Sequence, residues 1–377
     1  MTATTAIPFV DLVGLHAPLK SELMAVVERA IDSASFIGGP MVSSFEKEFA
    51  NFVGAAACSL VNSGTDALRF ALIAAGVGPG SVVYTVPNTF IATVESIVQA
   101  GGELRFVDVE PDSSLMSVEL LARALENYEP RAGKVDAVVP VHLYGQCADM
   151  DAINALAEKK GLIVIEDAAQ AHGATYKDRQ AGTLGLAAAF SFYPGKNLGA
   201  CGEGGAVTSN DAGLCERVSM LRDHGQASKA NHIYVGYNGR LDSIQAGFLS
   251  VKLRHLPEWN AERQRLSQNY DAAFADHPSI RPVAIRQHNK SSRHLYVVHV
   301  PERDRVMQEL QAQGVSVALH YPKPIHLQKC FCDLGCGLGS FPVAERLADE
   351  LLSLPLFPGM TFAQAERVVN ALEESVR

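Results

Sequence analysis

Three short stretches of the chain hold residues whose type and spacing could do chemistry. Lys196 is the single lysine of the turn Ser191-Phe192-Tyr193-Pro194-Gly195-Lys196-Asn197-Leu198-Gly199, which leads into Gly202-Glu203-Gly204-Gly205. An amine in a glycine-rich, otherwise uncharged turn beside a strand is a candidate for desolvation, which favours the neutral form that can make a Schiff base. The competing reading is a surface lysine in a flexible loop. Asp167 lies just beyond the apolar run Leu162 to Ile165 and precedes two alanines. A carboxylate buried there must meet a cation or strong donors, and a protonated pyridine nitrogen would serve; capping of the next helix is the alternative. Val61 to Leu68 reads VNSGTDAL and puts Gly64 and Thr65 at the mouth of a helix. Unpaired amides and the positive end of the helix dipole suit a phosphate there. Plain capping by Ser63 or Thr65 would look the same.

These residues need a scaffold, and the surrounding pattern supplies one. From about Pro40 to Val207 helical and extended stretches alternate, the pattern of a mostly parallel sheet covered by helices. Ser43 with Glu46 reads as a capping box ahead of Phe45, Phe49, Phe52 and Val53 at helical spacing. Further helices are predicted from Thr65 and Asp66 to about Gly76, and over 91–99, 118–125 and 150–159. Strands are predicted over 82–86, 104–109, 137–143 and 162–165. The strand tips at Pro87-Asn88-Thr89, His142 to Gly145, and Glu166 to Gln170 should face one crevice, since open α/β sheets bind ligands beyond the carboxyl ends of their strands. After about Lys252 the alternation weakens into an amphipathic stretch (303–313), an extended piece (315–321) and two more helices. The expected division is a large domain over 1–250 and a smaller one over 251–377.

Composition narrows the classes. The 377 residues are 47% hydrophobic, and 32 basic against 41 acidic side chains give a net charge of −9. That size allows a large core, and that charge offers no broad basic surface for nucleic acid or anionic lipid. No run of about 18 apolar residues occurs, and Met1 to Ala6 lacks the regions of a signal peptide, so a cytoplasmic location is expected. The seven cysteines, Cys58, Cys147, Cys201, Cys215, Cys330, Cys332 and Cys336, are an odd number spread widely and read as free thiols. Cys330, Cys332 and Cys336 with His326 match none of the usual zinc spacings. No metal site is expected.

Taken together and in order, the motifs IPFVDL, VNSGTDAL, PNTFIAT, PVHLYGQ, VIEDAAQAHGA, SFYPGKNLGACGEGG, GYNGRLDSIQAG, HLYVV, LHYPKPIHLQ and LLSLPLFP resemble the DegT/DnrJ/EryC1/StrS family of nucleotide-sugar aminotransferases from end to end. The resemblance implies the fold-type-I aminotransferase architecture: a large α/β domain with a mostly parallel central sheet covered by helices, plus a smaller C-terminal α+β domain. It implies pyridoxal 5′-phosphate as cofactor, carried by Lys196 as a Schiff base, with Asp167 keeping the pyridine nitrogen protonated so that the ring accepts the electron pair released with the substrate's α-proton. Gln170 would reach the phenolic oxygen, Phe90 and Ala169 would flank the ring, and Gly64, Thr65 and Ser191 would hold the phosphate. Asn238 would reach the phosphate of the neighbouring subunit, because family members build each site at a dimer interface. Arg240 and His320 would approach the substrate. Lys196, once freed, would shuttle the proton as general base and acid, in ping-pong kinetics. The family's dehydratase branch has histidine in place of the lysine, and Lys196 argues against it; Glu203 stands where many members have aspartate, with the charge retained.

The function implied is transfer of an amino group from glutamate to a keto group of a nucleotide-linked hexose. The forms RLDSIQA and HYPKPIHLQ are more similar to members acting at C3 than at C4. An aminotransferase for a non-nucleotide ketone such as a keto-inositol is the second reading, and a non-catalytic regulator keeping the fold is the third. Lys196, Asp167 and Gln170 together argue against the regulator, which needs no Schiff-base lysine with an electronic partner.

Overall fold

Seven strands form the central sheet: β1 (Ala57–Val61), β2 (Val82–Thr85), β3 (Glu103–Phe106), β4 (Ala137–Val138), β5 (Ile163–Asp167), β6 (Ala187–Ser191) and β7 (Gly205–Ser209). They lie in the order β1-β7-β6-β5-β4-β2-β3 in the computed structural model, which describes residues 6–377. Met1 to Thr5, read above for a leader, lie outside the described residues. Pairing from β6 through β5, β4 and β2 to β3 is parallel, whereas β7 runs antiparallel to both β6 and β1. The sheet is thus mostly parallel.

Period-two alternation divides the apolar residues between the two faces. Val138 and Val164 go to one layer, with Phe45, Phe49 and Phe190. Ala137, Val139 and Ile165 go to the other, with Leu68, Phe70 and Ile97. Both faces are therefore covered, as a parallel sheet requires.

The helices Gly64–Ala74, Ile91–Gln99, Val118–Ala124 and Met150–Lys160 lie close to their expected spans. Other elements differ for physical reasons. The helix bearing Phe45 and Phe49 begins at Pro40, whose fixed φ and missing N–H suit the first turn, so Ser43 is already inside it. Ser43 Oγ donates to the Gly39 carbonyl at 3.1 Å, and Glu46 instead accepts from Leu60 N at 3.1 Å and pairs with Arg222 at 2.6 Å. Ser43 and Glu46 therefore form no capping box. The strand expected over 137–143 ends at Val138, because Pro140 has no N–H for a ladder; its carbonyl still accepts from Asp167 N at 3.0 Å.

A second sheet pairs β8 (Arg281–Pro282), β9 (Tyr296–His299) and β10 (Leu351–Leu354), all antiparallel. β10 lies between the two C-terminal helices, Pro342–Glu350 and Phe362–Ser375, where no strand was expected. The extended piece over 315–321 makes only isolated bridges, to Ile7 and to Ser353. Ile7 packs with Tyr270, Tyr296, Val298, Leu352 and Leu372 in a separate apolar cluster, so the described N-terminus is built into the C-terminal part of the chain.

All seven cysteines are free, and His326 Nε2 donates to Glu345 at 2.9 Å instead of joining Cys330, Cys332 and Cys336. Among the described residues no helix is long and apolar enough to cross a membrane.

Candidate active site

Strand register brings the chemical residues together. Val61 and Ser191 both pair with Gly205, so the ends of β1 and β6 flank the start of β7. The Gly64–Ala74 helix springs from that point, capped by Ser63, whose Oγ accepts from Asp66 N at 3.1 Å. The amides of Gly64 and Thr65, one turn short of intrahelical acceptors, are left for a ligand. A Cβ on Gly64 would lie 2.5 Å from Ser191 Cβ, so only glycine allows this cradle to close. It is shaped for a small anion, and a phosphate fits it.

On β5 the alternation points Glu166 and Asp167 in opposite directions. Glu166 is fully buried and accepts from the amides of Gly182, Leu184 and Gly185 at 2.7 to 2.8 Å, with His142 Nε2 at 2.9 Å. His142 Nδ1 accepts from Ala148 N at 3.2 Å, so its proton is on Nε2 and it donates to the carboxylate. That carboxylate is structural. Asp167 faces the crevice, where Thr93 Oγ1 donates to its Oδ2 at 2.6 Å and Ala169 N to its Oδ1 at 3.2 Å. Two donors hold the carboxylate in place, facing the cavity. Thr89 lies 2.7 Å from Thr93, whose only proton is committed to Asp167, so Thr89 donates to Thr93.

The turn that carries Lys196 is fixed by backbone bonds from Phe192 to Gly204, from Lys196 to Tyr193 and from Ala200 to Phe192. Gly199 is needed because a Cβ there would lie 2.3 Å from the Pro194 carbonyl. Burial lowers the Lys196 ammonium from its ordinary 10.5 to about 8, and the attraction of Asp167 opposes this without cancelling it. The amine is thereby available near neutral pH.

Lys196 opens into a cavity of about 1030 Å³, lined also by Gly64, Thr65, Phe90, Asp167, Ala169, Gln170, Ser191 and His320. Gln170 Oε1 accepts from Tyr144 N at 2.7 Å, which turns its NH₂ toward Tyr321 Oη, 3.0 Å away. That amide is oriented to donate to an oxygen in the cavity. His320 Nδ1 lies 2.8 Å from Ser353 Oγ, and burial with the nearby Lys196 lowers its pKa to about 4. Phe90 is half-exposed, its ring 5.7 Å from that of Tyr321.

Asn238 and Arg240 are not brought to this cavity. Arg240 pairs with Asp223 and donates to Asn238 Oδ1 at 2.7 Å. Sequence reasoning did not single out Thr93, Tyr321, Arg263 or His294, all of which line the cavity. Thr93 stands one helical turn after Phe90 on the same face, a signal that was available; Tyr321 and His294 lie within quoted motifs, but nothing local marks them.

The residues fit pyridoxal phosphate: an anion cradle, a carboxylate for the ring nitrogen, an amide for the phenolic oxygen and a buried amine share one cavity. Comparison with known proteins agrees with that fit. Residues 18–373 match the DegT/DnrJ/EryC1/StrS aminotransferase family. The chain is 42% identical to the erythromycin biosynthesis sensory transduction protein EryC1 of Saccharopolyspora erythraea, over 97% of this chain and 99% of that one. It is 40% identical to dTDP-3-amino-3,4,6-trideoxy-α-D-glucose transaminase of Streptomyces venezuelae, over 98% and 96%. The crystal structure of S. venezuelae DesV in complex with a ketimine intermediate superposes with a TM-score of 0.94 at 39% identity, covering 98% of each chain.

Proposed function

The chain belongs to the DegT/DnrJ/EryC1/StrS aminotransferase family, and on that premise we propose that it moves an amino group from glutamate to a keto group, at C3, of a nucleotide-linked hexose. It is a pyridoxal-phosphate-dependent sugar aminotransferase. The observation that carries the reading is the convergence of Lys196, Asp167 and Gln170 on one cavity, beside a helix mouth that accepts a phosphate. A regulator that had lost catalysis has no use for that set.

When bound, the cofactor supplies an electron sink for the pair released with a substrate proton. The chain's own residues do the rest. Asp167, fixed by Thr93 and Ala169, holds a proton on the ring nitrogen. Gln170 donates to the phenolic oxygen. The amides of Gly64 and Thr65, with Ser191, bind the phosphate and so fix the ring's position. Phe90 and Ala169, which both line the cavity, would flank the ring. Lys196 would hold the cofactor, and its Nζ, with its pKa lowered by burial to about 8, would accept and return the substrate proton. The protein works as a cytoplasmic homodimer in this reading, with Asn238 and Arg240 serving the partner's site rather than their own.

Support for C3 comes from the transaminases of 3-amino sugars among its relatives and from the RLDSIQA and HYPKPIHLQ forms. The nucleotide is dTDP or UDP. The test is to load the enzyme with amine from glutamate and screen 3-keto and 4-keto sugars of both nucleotides for return of the original absorption band. Return with no nucleotide sugar, but with a keto-inositol, would overturn the substrate class.

A further inference from the structure

We propose that Arg263 is a carboxylate-binding residue of the active-site cavity and that it takes the side-chain carboxylate of the amino donor. This rests on the reading above, in which a dicarboxylic amino acid and a sugar use one site in turn. Arg263 comes from the helix Leu256–Phe274 and lines the cavity, as do His294, Leu295, Leu354 and Leu356. It is 4% exposed. Its Nη1 donates to the Leu356 carbonyl at 2.6 Å, while its Nε has no acceptor at all. No carboxylate among the described residues lies within ion-pairing distance. The neighbouring Glu262 directs its carboxylate to Gly359 N at 2.9 Å instead.

A guanidinium buried without a counter-ion is costly, and the cost is recovered when an anion arrives. Other groups near it supply no negative charge. His294 and His320 are both held neutral by burial and by the cations around them. Burial weakens even the guanidinium's hold on its proton, to about 10, despite the attraction of Glu262. The cofactor's phosphate has its own cradle at Gly64 and Ser191. A sugar diphosphate carries charges that favour water, whereas Arg263 is almost fully buried and its hydrogen-bond partner is the Leu356 carbonyl. One charge at the end of a short methylene chain suits that buried position, and the planar fork of arginine matches a carboxylate. His294 lies within electrostatic reach of both Lys196 and Arg263.

A carboxylate could come from the donor or from an acidic acceptor sugar, and the test separates them. Wild-type holoenzyme and Arg263→Met are compared in single-turnover amine transfer to the cofactor, followed by absorbance, with glutamate and with its neutral isostere glutamine. The half-saturating glutamate concentration is expected to rise about ten- to a hundredfold in the variant, with glutamine unchanged. Equal losses on both amino acids would mark a structural residue and overturn the proposal. Arg263→Lys, which keeps the charge, should retain part of the preference. On the wild type alone, glutarate should compete with glutamate; failure to compete would also overturn it. A variant altered only in its choice between uronic and neutral keto sugars would assign the carboxylate to the acceptor and overturn the donor assignment. If wild-type enzyme accepts no amine from glutamate, the donor reading falls by itself, and displacement of glutarate by chloride in the wild type but not the variant still reads out Arg263.

Discussion

His294 Nδ1 lies 3.0 Å from Oδ1 of Asn197, the residue that follows Lys196. The amide orientation is forced: Asn197 Nδ2 donates to the Ser292 carbonyl and to Asn260 Oδ1, both at 2.9 Å, so the oxygen must face the imidazole. His294 therefore carries its proton on Nδ1 and presents an unprotonated Nε2. The turn holding Lys196 and the loop holding His294 are tied through this one side chain.

Asn197→Ala should therefore destabilise the protein by about 2 to 4 kcal/mol, because buried partners are left unpaired as well as bonds lost. Chemical denaturation of the cofactor-free protein checks this. Nitrogen chemical shifts of His294 should show a protonated Nδ1 and a bare Nε2 across the neutral range, since burial and the nearby Lys196 push its pKa down. Loss of less than about 0.5 kcal/mol, or the opposite tautomer, would refute the arrangement.

Thr93 and Asp167 should separate in their effects. Asp167→Asn keeps the shape but cannot hold a proton on the ring nitrogen, and its turnover should fall about a hundredfold or more while cofactor still binds. Thr93→Val removes one of the two donors to that carboxylate and should cost about tenfold. Near wild-type turnover in the Asn variant would remove Asp167 from the chemistry.

Lys196 gives a pH signature. Its pKa in the fold is about 8 against an ordinary 10.5, so the neutral amine gains population as pH rises through about 8. Capture of pyridoxal phosphate by cofactor-free protein, followed by absorbance, should accelerate over that interval and level off above it. A midpoint near that of free lysine would show that the amine is not desolvated.

The sequence made part of this site readable. Lys196, Asp167 and the Gly64 turn each sit in local patterns with their own physical logic, and the parallel alternation implied that they share a crevice. What could not be read was which long-range partners complete them. A buried aspartate demands donors, yet nothing near Asp167 in sequence names Thr93, 74 residues away. Arg263 looks like any polar residue of an amphipathic helix until its carboxylate-free burial is seen. The misplaced helix start at Ser43 has the same origin, since the capping pattern was present but Pro40 set the first turn earlier.

Arg240 and Lys196 provide the last test, because they do not meet within one chain: the arginine is held by Asp223 and lies outside the cavity. In a homodimer with shared sites, each site takes its lysine from one subunit and its arginine from the other. Lys196→Ala and Arg240→Ala should then each be inactive, whereas a heterodimer of the two recombines one intact lysine with one intact arginine. Co-expression with two affinity tags avoids dependence on slow subunit exchange. The isolated heterodimer should recover up to about half of the wild-type activity, since one of its two sites carries both residues and the other carries neither. A heterodimer without activity, while each variant still binds cofactor through its own Gly64 cradle, would place Arg240 at a surface that serves neither site.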